Sequence, residues 1–185
     1  MTDEFFHTIF GTEPNGFIEI RAIGEEGIKR GWYKSVDDLV SDLQSKWGPL
    51  NGEKQKFNLY FGICPRIRKR GKQEDIQEVR VLWCDVDTKN YLVDGKPNFY
   101  KMSNTVLNYS PAPDIVVNTG GGYHCYWRLK EPARDNFSMV RNTMRSLAKE
   151  LRGDHTQDLS RVFRVPMTLN WKYDPPHEVE IVYVK

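Results

Sequence analysis

The sequence predicts a mixed α/β fold of the α+β kind with mostly antiparallel sheet, and three observations point to it. Short apolar runs rich in β-branched and aromatic residues recur along the chain, glycine-rich or charged breaks of hairpin length separate several neighbouring runs, and two longer stretches carry apolar residues at helical spacing. With 185 residues, 39% of them hydrophobic and 12% aromatic, the chain has enough large side chains to fill a core as a single domain, residues 1–185. A charged fraction of 28% and a mean hydropathy of −0.63 exclude a membrane protein and a disordered tail.

The first elements follow from local pattern. FIEIRAI (17–23) alternates with period two, and Trp32 and Tyr33 after the breaks at Gly27 and Gly31 suggest a return strand. In VDDLVSDLQSKW (36–47), Val36, Leu39, Val40 and Leu43 fall on one helical face, with Ser35 as cap and Gly48 and Pro49 as the expected stop. FNLYFGI (57–63) and VRVLWCDV (79–86) have the length and composition of central strands. A short helix is expected near 100–109, and then DIVVN (114–118) and YHCYWRL (123–129) flank a glycine turn that permits positive φ. Pro132 and Asp135 are expected to open a long amphipathic helix ending at Gly153, followed by strands RVFRV (161–165) and EVEIVYV (178–184).

Charge and cysteine content narrow the setting. Lys+Arg 27 against Asp+Glu 25 gives a net charge of +2, so nucleic-acid binding would have to come from local basic patches. One such patch is Arg66, Arg68, Lys69, Arg70 and Lys72 around Gly71, either a solvated loop or a loop that touches phosphates. Cys64, Cys84 and Cys125 form no CxxC pair and sit among apolar residues, which suggests reduced core thiols and a cytoplasmic protein. The amino-terminal MTDEFFHTIF lacks the layout of a signal peptide.

Three segments could carry chemistry. Asp85 and Asp87 in LWCDVD lie two apart on a strand and share a face, where they repel unless a hard cation such as Mg²⁺ or Mn²⁺ sits between them; such residues are also common at plain strand ends. In NTGGGYHCYW (118–127), extended by Arg128, strand alternation puts His124, Tyr126 and Arg128 on one face, so that His124 and Arg128 could meet an anion together; a simple hairpin turn is the alternative. Neither a GKS/GKT ending nor GxGxxG is present, which argues against a Walker-type NTPase and a dinucleotide fold. GDHTQDLSRVFRVPMTLNWK (153–172) adds Asp154, Asp158, Arg161, Arg164, Asn170 and Lys172. Local turn or capping roles are open for both aspartates, and ideal alternation puts Arg161 and Arg164 on opposite faces.

In that order these three segments resemble the signatures of the archaeo-eukaryotic primase superfamily, especially its plasmid- and phage-type primase or primase-polymerase domains: a DxD strand end, a Ser/Thr-Gly-rich turn leading to a histidine, and a third aspartate followed by Arg-x-Pro and a basic residue. The resemblance covers about the last two-thirds of the chain. It implies a catalytic unit like an RNA-recognition-type sandwich (76–185) packed on a smaller α/β unit (1–75). It further implies that Asp85, Asp87 and a third aspartate, preferably Asp154 and otherwise Asp158, hold two Mg²⁺ or Mn²⁺ ions. His124 would contact the nucleotide triphosphate, with Thr119, Arg164, Asn170 and Lys172 as further nucleotide contacts. Met167 stands where the family has a small residue. No cysteine and histidine cluster is present, so no zinc is expected.

The activity so implied is template-directed nucleotidyl transfer by a DNA primase or polymerase, making or extending primers on single-stranded DNA from dNTPs or NTPs. The residue 66–72 patch is then a candidate template contact. A helicase or accessory domain in a longer chain is an expected partner, and a membrane is not. The competing readings are a non-catalytic module for single-stranded nucleic acid or nucleotide, which would have no need to gather carboxylates opposite a polyanion, and a metal-dependent nuclease.

Overall fold

The computed structural model describes residues Met1–Lys185. The first part of the chain holds α1 (Thr2–Phe10), β1 (Ile18–Gly24), β2 (Gly27–Tyr33), α2 (Val36–Asp42), the one-turn α3 (Gly48–Asn51) and β3 (Asn58–Gly62). The remainder runs β4 (Val79–Asp87), β5 (Leu92–Val93), β6 (Lys96–Pro97), α4 (Phe99–Leu107), β7 (Ile115–Asn118), β8 (Gly122–Ala133), α5 (Phe137–Glu150), β9 (Val162–Arg164), β10 (Leu169–Asn170), β11 (His177–Glu178) and β12 (Glu180–Val184). Two antiparallel four-stranded sheets result, ordered β2-β1-β3-β9 and β12-β7-β8-β4, with β10-β11 and β5-β6 as small ribbons.

The mixed α/β fold with antiparallel sheets is therefore the one expected. The order β4-α4-β7-β8-α5-β12 is a βαββαβ unit. Its last strand adds beside β7, which leaves β4, the strand of Asp85 and Asp87, at the sheet edge. The first sheet takes its fourth strand, β9, from late in the chain, and one core of 30 buried residues spans both sheets. A second cluster of 12, including Cys84, Val86, Met102, Cys125 and Leu147, fills the other face of β4 and β8 against α4 and α5. All three cysteines are buried and unpaired. No helix is long and apolar enough to cross a membrane.

Three local outcomes differ from the sequence expectations, and one agrees. Phe5, Phe6, Ile9 and Phe10 form the buried stripe of α1, a helix the strand-centred pattern missed; Phe5 packs edge-on to Phe61 at 5.4 Å and Tyr126 at 5.9 Å, knitting the sheets together. Ser35 caps α2, accepting a hydrogen bond from the Asp38 N–H at 3.1 Å. Gly48 and Pro49 do not end the helical path, however: it loosens into a π turn over Leu43–Trp47 and resumes as α3, where Pro49 falls in the first turn and its missing N–H is not needed. Pro132 lies in β8 and does not open α5, which starts after Asn136 in the left-handed conformation at φ 49°.

Candidate active site

Edge strand β4 and its neighbour β8 set the floor of the site. Their register places Asp85 opposite His124 and Asp87 opposite Gly122, and a Cβ at Gly122 would collide with the Val86 carbonyl, so only glycine permits this approach. Within the turn, Gly120 alone has positive φ, at 89°. Phe163 stacks its edge on His124 at 4.8 Å and fixes the ring, whose Nε2 lies 3.8 Å from Asp85 Oδ1.

The third carboxylate arrives from the end of α5. Gly153 packs so tightly on Cys84 and the Asp85 carbonyl that no side chain fits there, and the next residue, Asp154, donates its N–H to the Asp85 carbonyl at 2.7 Å. Lys89, in the turn just past the DxD pair, joins the two flanks: its Nζ donates to Asp87 Oδ2 at 3.2 Å and to Asp154 Oδ2 at 2.7 Å. Asn90 donates to Asp154 Oδ1 at 3.1 Å. Asp158 is elsewhere engaged, accepting from the Ser160 N–H and hydroxyl at 3.0 and 2.8 Å. The structure thus brings Asp154, and not Asp158, to Asp85 and Asp87.

Above this floor is a cavity of about 120 Å³ with a single apolar lining residue, and it gathers Asp85, Asp87, Thr119, His124, Arg164, Asn170 and Lys172. Thr119 and Asn170 act first as braces: the Thr119 hydroxyl donates to the Gly122 carbonyl at 3.1 Å, and Asn170 donates to the Thr119 carbonyl at 2.7 Å and accepts from the Lys172 N–H at 3.1 Å. Arg164 is pre-set for the cavity, its guanidinium 5.0 Å over Tyr60 and bonded to Asn58 Oδ1 at 2.6 Å. Tyr173 completes the wall beside Gly121. Met167, after Pro166, takes the left-handed conformation at φ 61° that a small residue adopts more easily.

Three sequence expectations change. Arg161 and Arg164 line one cavity beside Asp85 and His124, because β9 is only three residues long and Arg161 precedes it in a turn, bonded through its N–H to the Asp158 carbonyl. Arg128 does not join His124; it is exposed, faces Asp114 at 3.8 Å and pairs with Val81 far along β4. The residue 66–72 patch is not a free basic loop. Arg66 is fully buried against Glu19, so it is no template contact, and Arg68 and Arg70 both clamp Asp75. Lys69 lies 5.1 Å over Phe17, and Lys72 is exposed. Lys89, Asn90, Tyr60 and Tyr173 were missed; only Lys89, two residues past Asp87, had a sequence signal.

The charges explain the electrostatics. Burial first, then Asp154 and Asp87, raises the Asp85 carboxyl from 3.8 to about 6. Burial pushes Asp154 up as well, but its hydrogen bonds from Lys89 and Asn90 outweigh that and leave it below the usual carboxylate value. Burial, with Arg164 and Arg161 nearby, lowers His124 to about 3, so its imidazole is neutral at pH 7. Asp87 and Asp154 share the Lys89 ammonium and Asp85 feels both carboxylates, and hard oxygen donors of this kind suit a divalent cation. The group whose ligand atoms already lie within 4.8 Å of one another is a different one, Asp3, His7 and Asp37 on α1 and α2, and it shares no residue with this cavity.

An antiparallel βαββαβ sheet with a DxD edge strand, a glycine turn into His124 and an aspartate delivered by the following helix is an archaeo-eukaryotic primase-type fold. Solved structures of this kind bear it out. The primase RepB′ superposes at TM-score 0.67 and 15% identity over 100% of this chain and 57% of its own, so the chain spans little more than half of that protein. The RepB′ catalytic domain in complex with initiator DNA gives 0.67 and 14%, covering 100% of this chain and 85% of that one. The AEP domain of the cyanophage S-2L primase-polymerase gives 0.60 and 18%, covering 92% and 82%. No protein-family model and no curated protein matches the sequence.

Proposed function

We propose that the chain is a template-directed nucleotidyltransferase, a primase-polymerase that makes or extends primers on single-stranded DNA from nucleoside triphosphates. The observation that carries this is the cavity in which Asp85 and Asp87 face Arg164 and Lys172 across a polar gap, an arrangement that suits a triphosphate held between cations and metal-binding carboxylates. Asp85, Asp87 and Asp154 would hold Mg²⁺ or Mn²⁺. Such ions neutralise a triphosphate and acidify an attacking hydroxyl.

The chain's own groups then divide the work. Arg164, stiffened by Tyr60 and Asn58, and Lys172 bind phosphate oxygens. His124, neutral and held by Phe163, offers one N–H and one lone pair to the bound nucleotide, orienting it without adding charge. Thr119 and Asn170 keep the glycine turn and the Lys172 segment in register, and Arg161 counters the carboxylates from the opposite wall. A helicase or accessory domain elsewhere in a longer chain completes the proposal on the partner side.

The test is primer synthesis on single-stranded DNA with labelled nucleotides and Mg²⁺ or Mn²⁺, with and without a supplied primer. Product without a primer supports a primase, and extension of a primer alone supports a polymerase. Metal-dependent nucleotide binding with no product would instead identify a binding module, and shortened template would identify a nuclease.

Two substitutions refine the assignment. His124→Ala is expected to weaken nucleotide binding by about tenfold, the loss of one good hydrogen bond, equally at pH 6 and pH 8 because a group titrating near 3 is neutral throughout. A loss that appears only at pH 6 would mean that His124 acts as a cation. Lys89→Ala removes the tethered ammonium from between Asp87 and Asp154, and about a two- to fivefold tighter Mn²⁺ binding, read by electron paramagnetic resonance, is expected from displacing an exposed ion pair. Weaker Mn²⁺ binding would show that Lys89 organises the carboxylates and does not compete for them.

A further inference from the structure

On the exposed side of α5, Arg141, Arg145 and Lys149 recur every fourth residue, and Arg152 continues the row just past the helix end. A rise of 1.5 Å per residue makes this row about 16 Å long. Like charges at this spacing repel, and the helix dipole accounts only for those in the last turn. None of Arg145, Lys149 and Arg152 has a carboxylate partner: Arg145 donates to Asn142 Oδ1 at 2.6 Å, and Arg152 lies 5.9 Å over the Tyr91 ring. The nearby Glu150 is turned away, accepting a hydrogen bond from the Tyr109 hydroxyl at 2.6 Å. The arginines of the 66–72 segment, by contrast, are neutralised by Glu19, Glu74 and Asp75.

The three unpaired cations line an open cleft of about 660 Å³ together with Asn90, Asp154 and His155. That cleft and the polar cavity of about 120 Å³ meet at the Lys89 bridge, one lined by Asp154 and the other by Asp87. The three cleft cations, residues 145 to 152, span about 11 Å at 1.5 Å per residue, a spacing that fits successive phosphates of a chain. We propose that the α5 cleft seats the backbone of a single-stranded polynucleotide and leads it past Asp154 to the reacting groups. The strand binding is independent of catalysis, and the reaction it leads to rests on the function proposed above.

The experiment titrates a fluorescently labelled oligothymidylate by anisotropy over a salt series, in the Asp85→Ala/Asp87→Ala background so that no synthesis intervenes. Adding Arg145→Ala/Lys149→Ala/Arg152→Ala is expected to weaken binding at least about tenfold and to reduce the slope of log K against log salt by about 2, three single-strand phosphate contacts at about 0.7 each. All three side chains are exposed, so the thermal midpoint should not move. Unchanged affinity and slope, or a loss seen in Lys69→Ala/Lys72→Ala instead, overturns the proposal. So does a triple variant that loses binding of a fluorescent nucleoside triphosphate while keeping the oligonucleotide. Strand binding through the cleft in a wild type that synthesises nothing would sustain this inference and sink the proposed activity.

Discussion

Asp85→Ala/Asp87→Ala is expected to remove nucleotidyl transfer by at least about a thousandfold, the several kcal/mol by which charge neutralisation at the reacting phosphates lowers the barrier. The two carboxylates project from one face of an edge strand, and Asp154 is bonded to the same strand through its backbone, so no other carboxylate lines that cavity to replace them. The protein should stay folded, because the pair is held against its own repulsion. The single variant Asp85→Asn makes the point quantitatively. With a carboxyl raised to about 6, the folded state binds more protons than the unfolded chain between about pH 4 and pH 6. Stability in metal-free buffer therefore falls as pH rises through that window, and above it the ionised group costs about 3 kcal/mol. Asp85→Asn should abolish this fall and melt higher than wild type at pH 7 in chelator. Melting curves between pH 4 and pH 8 check it; identical pH dependence in both proteins would mean that the carboxylates do not crowd one another, and retained synthesis in the double variant would refute the metal assignment.

How much of this was legible in the sequence depended on distance along the chain. Period-two alternation located β1, run length and composition located β4, and the glycine turn located β8; alternation then put Asp85 and Asp87 on one face with Cys84 and Val86 behind them. The Ser35 cap and the glycine turn were equally local. The third carboxylate was ambiguous because Asp154 and Asp158 both follow a helix; the choice rests on Gly153 closing onto β4, a contact across 68 residues. Ideal alternation separated Arg161 from Arg164, whereas a three-residue strand does not extend far enough to impose it. The residue 66–72 patch misled most, since its partners are Glu19, on β1, and Asp75, beyond the loop. Positive charge in a sequence window does not reveal which cations are already neutralised, and the α5 row, spaced by four, was hidden within a helix valued for its apolar face.

Arg66→Ala is expected to destabilise the fold by about 3–5 kcal/mol, the range for removing one partner of a buried ion pair. Arg66 and Glu19 are both fully buried, with Arg66 Nη2 3.4 Å from Glu19 Oε2. The guanidinium also donates to the Cys64 carbonyl at 2.7 Å and the Ser160 carbonyl at 2.9 Å, so its loss leaves two acceptors short of a donor and takes a buried cation from beside Glu19. Arg21, bonded to Glu19 at 2.7 Å, softens that loss without replacing those carbonyl contacts. Because part of the damage is the loss of one of the three cations around buried Glu19, Arg66→Met/Glu19→Met should recover part of the stability lost in Arg66→Met alone. Urea unfolding of the two single variants and the double variant measures the coupling; strict additivity would show that the pair does not interact. The Ser160 contact adds a reach into the site, for Ser160 sits between Asp158 and Arg161 in the turn that aims Arg161 at the cavity. Arg66→Met should therefore loosen nucleotide binding at temperatures well below its melting point, while Arg68→Ala, exposed and shared with Arg70 on Asp75, should leave it unchanged.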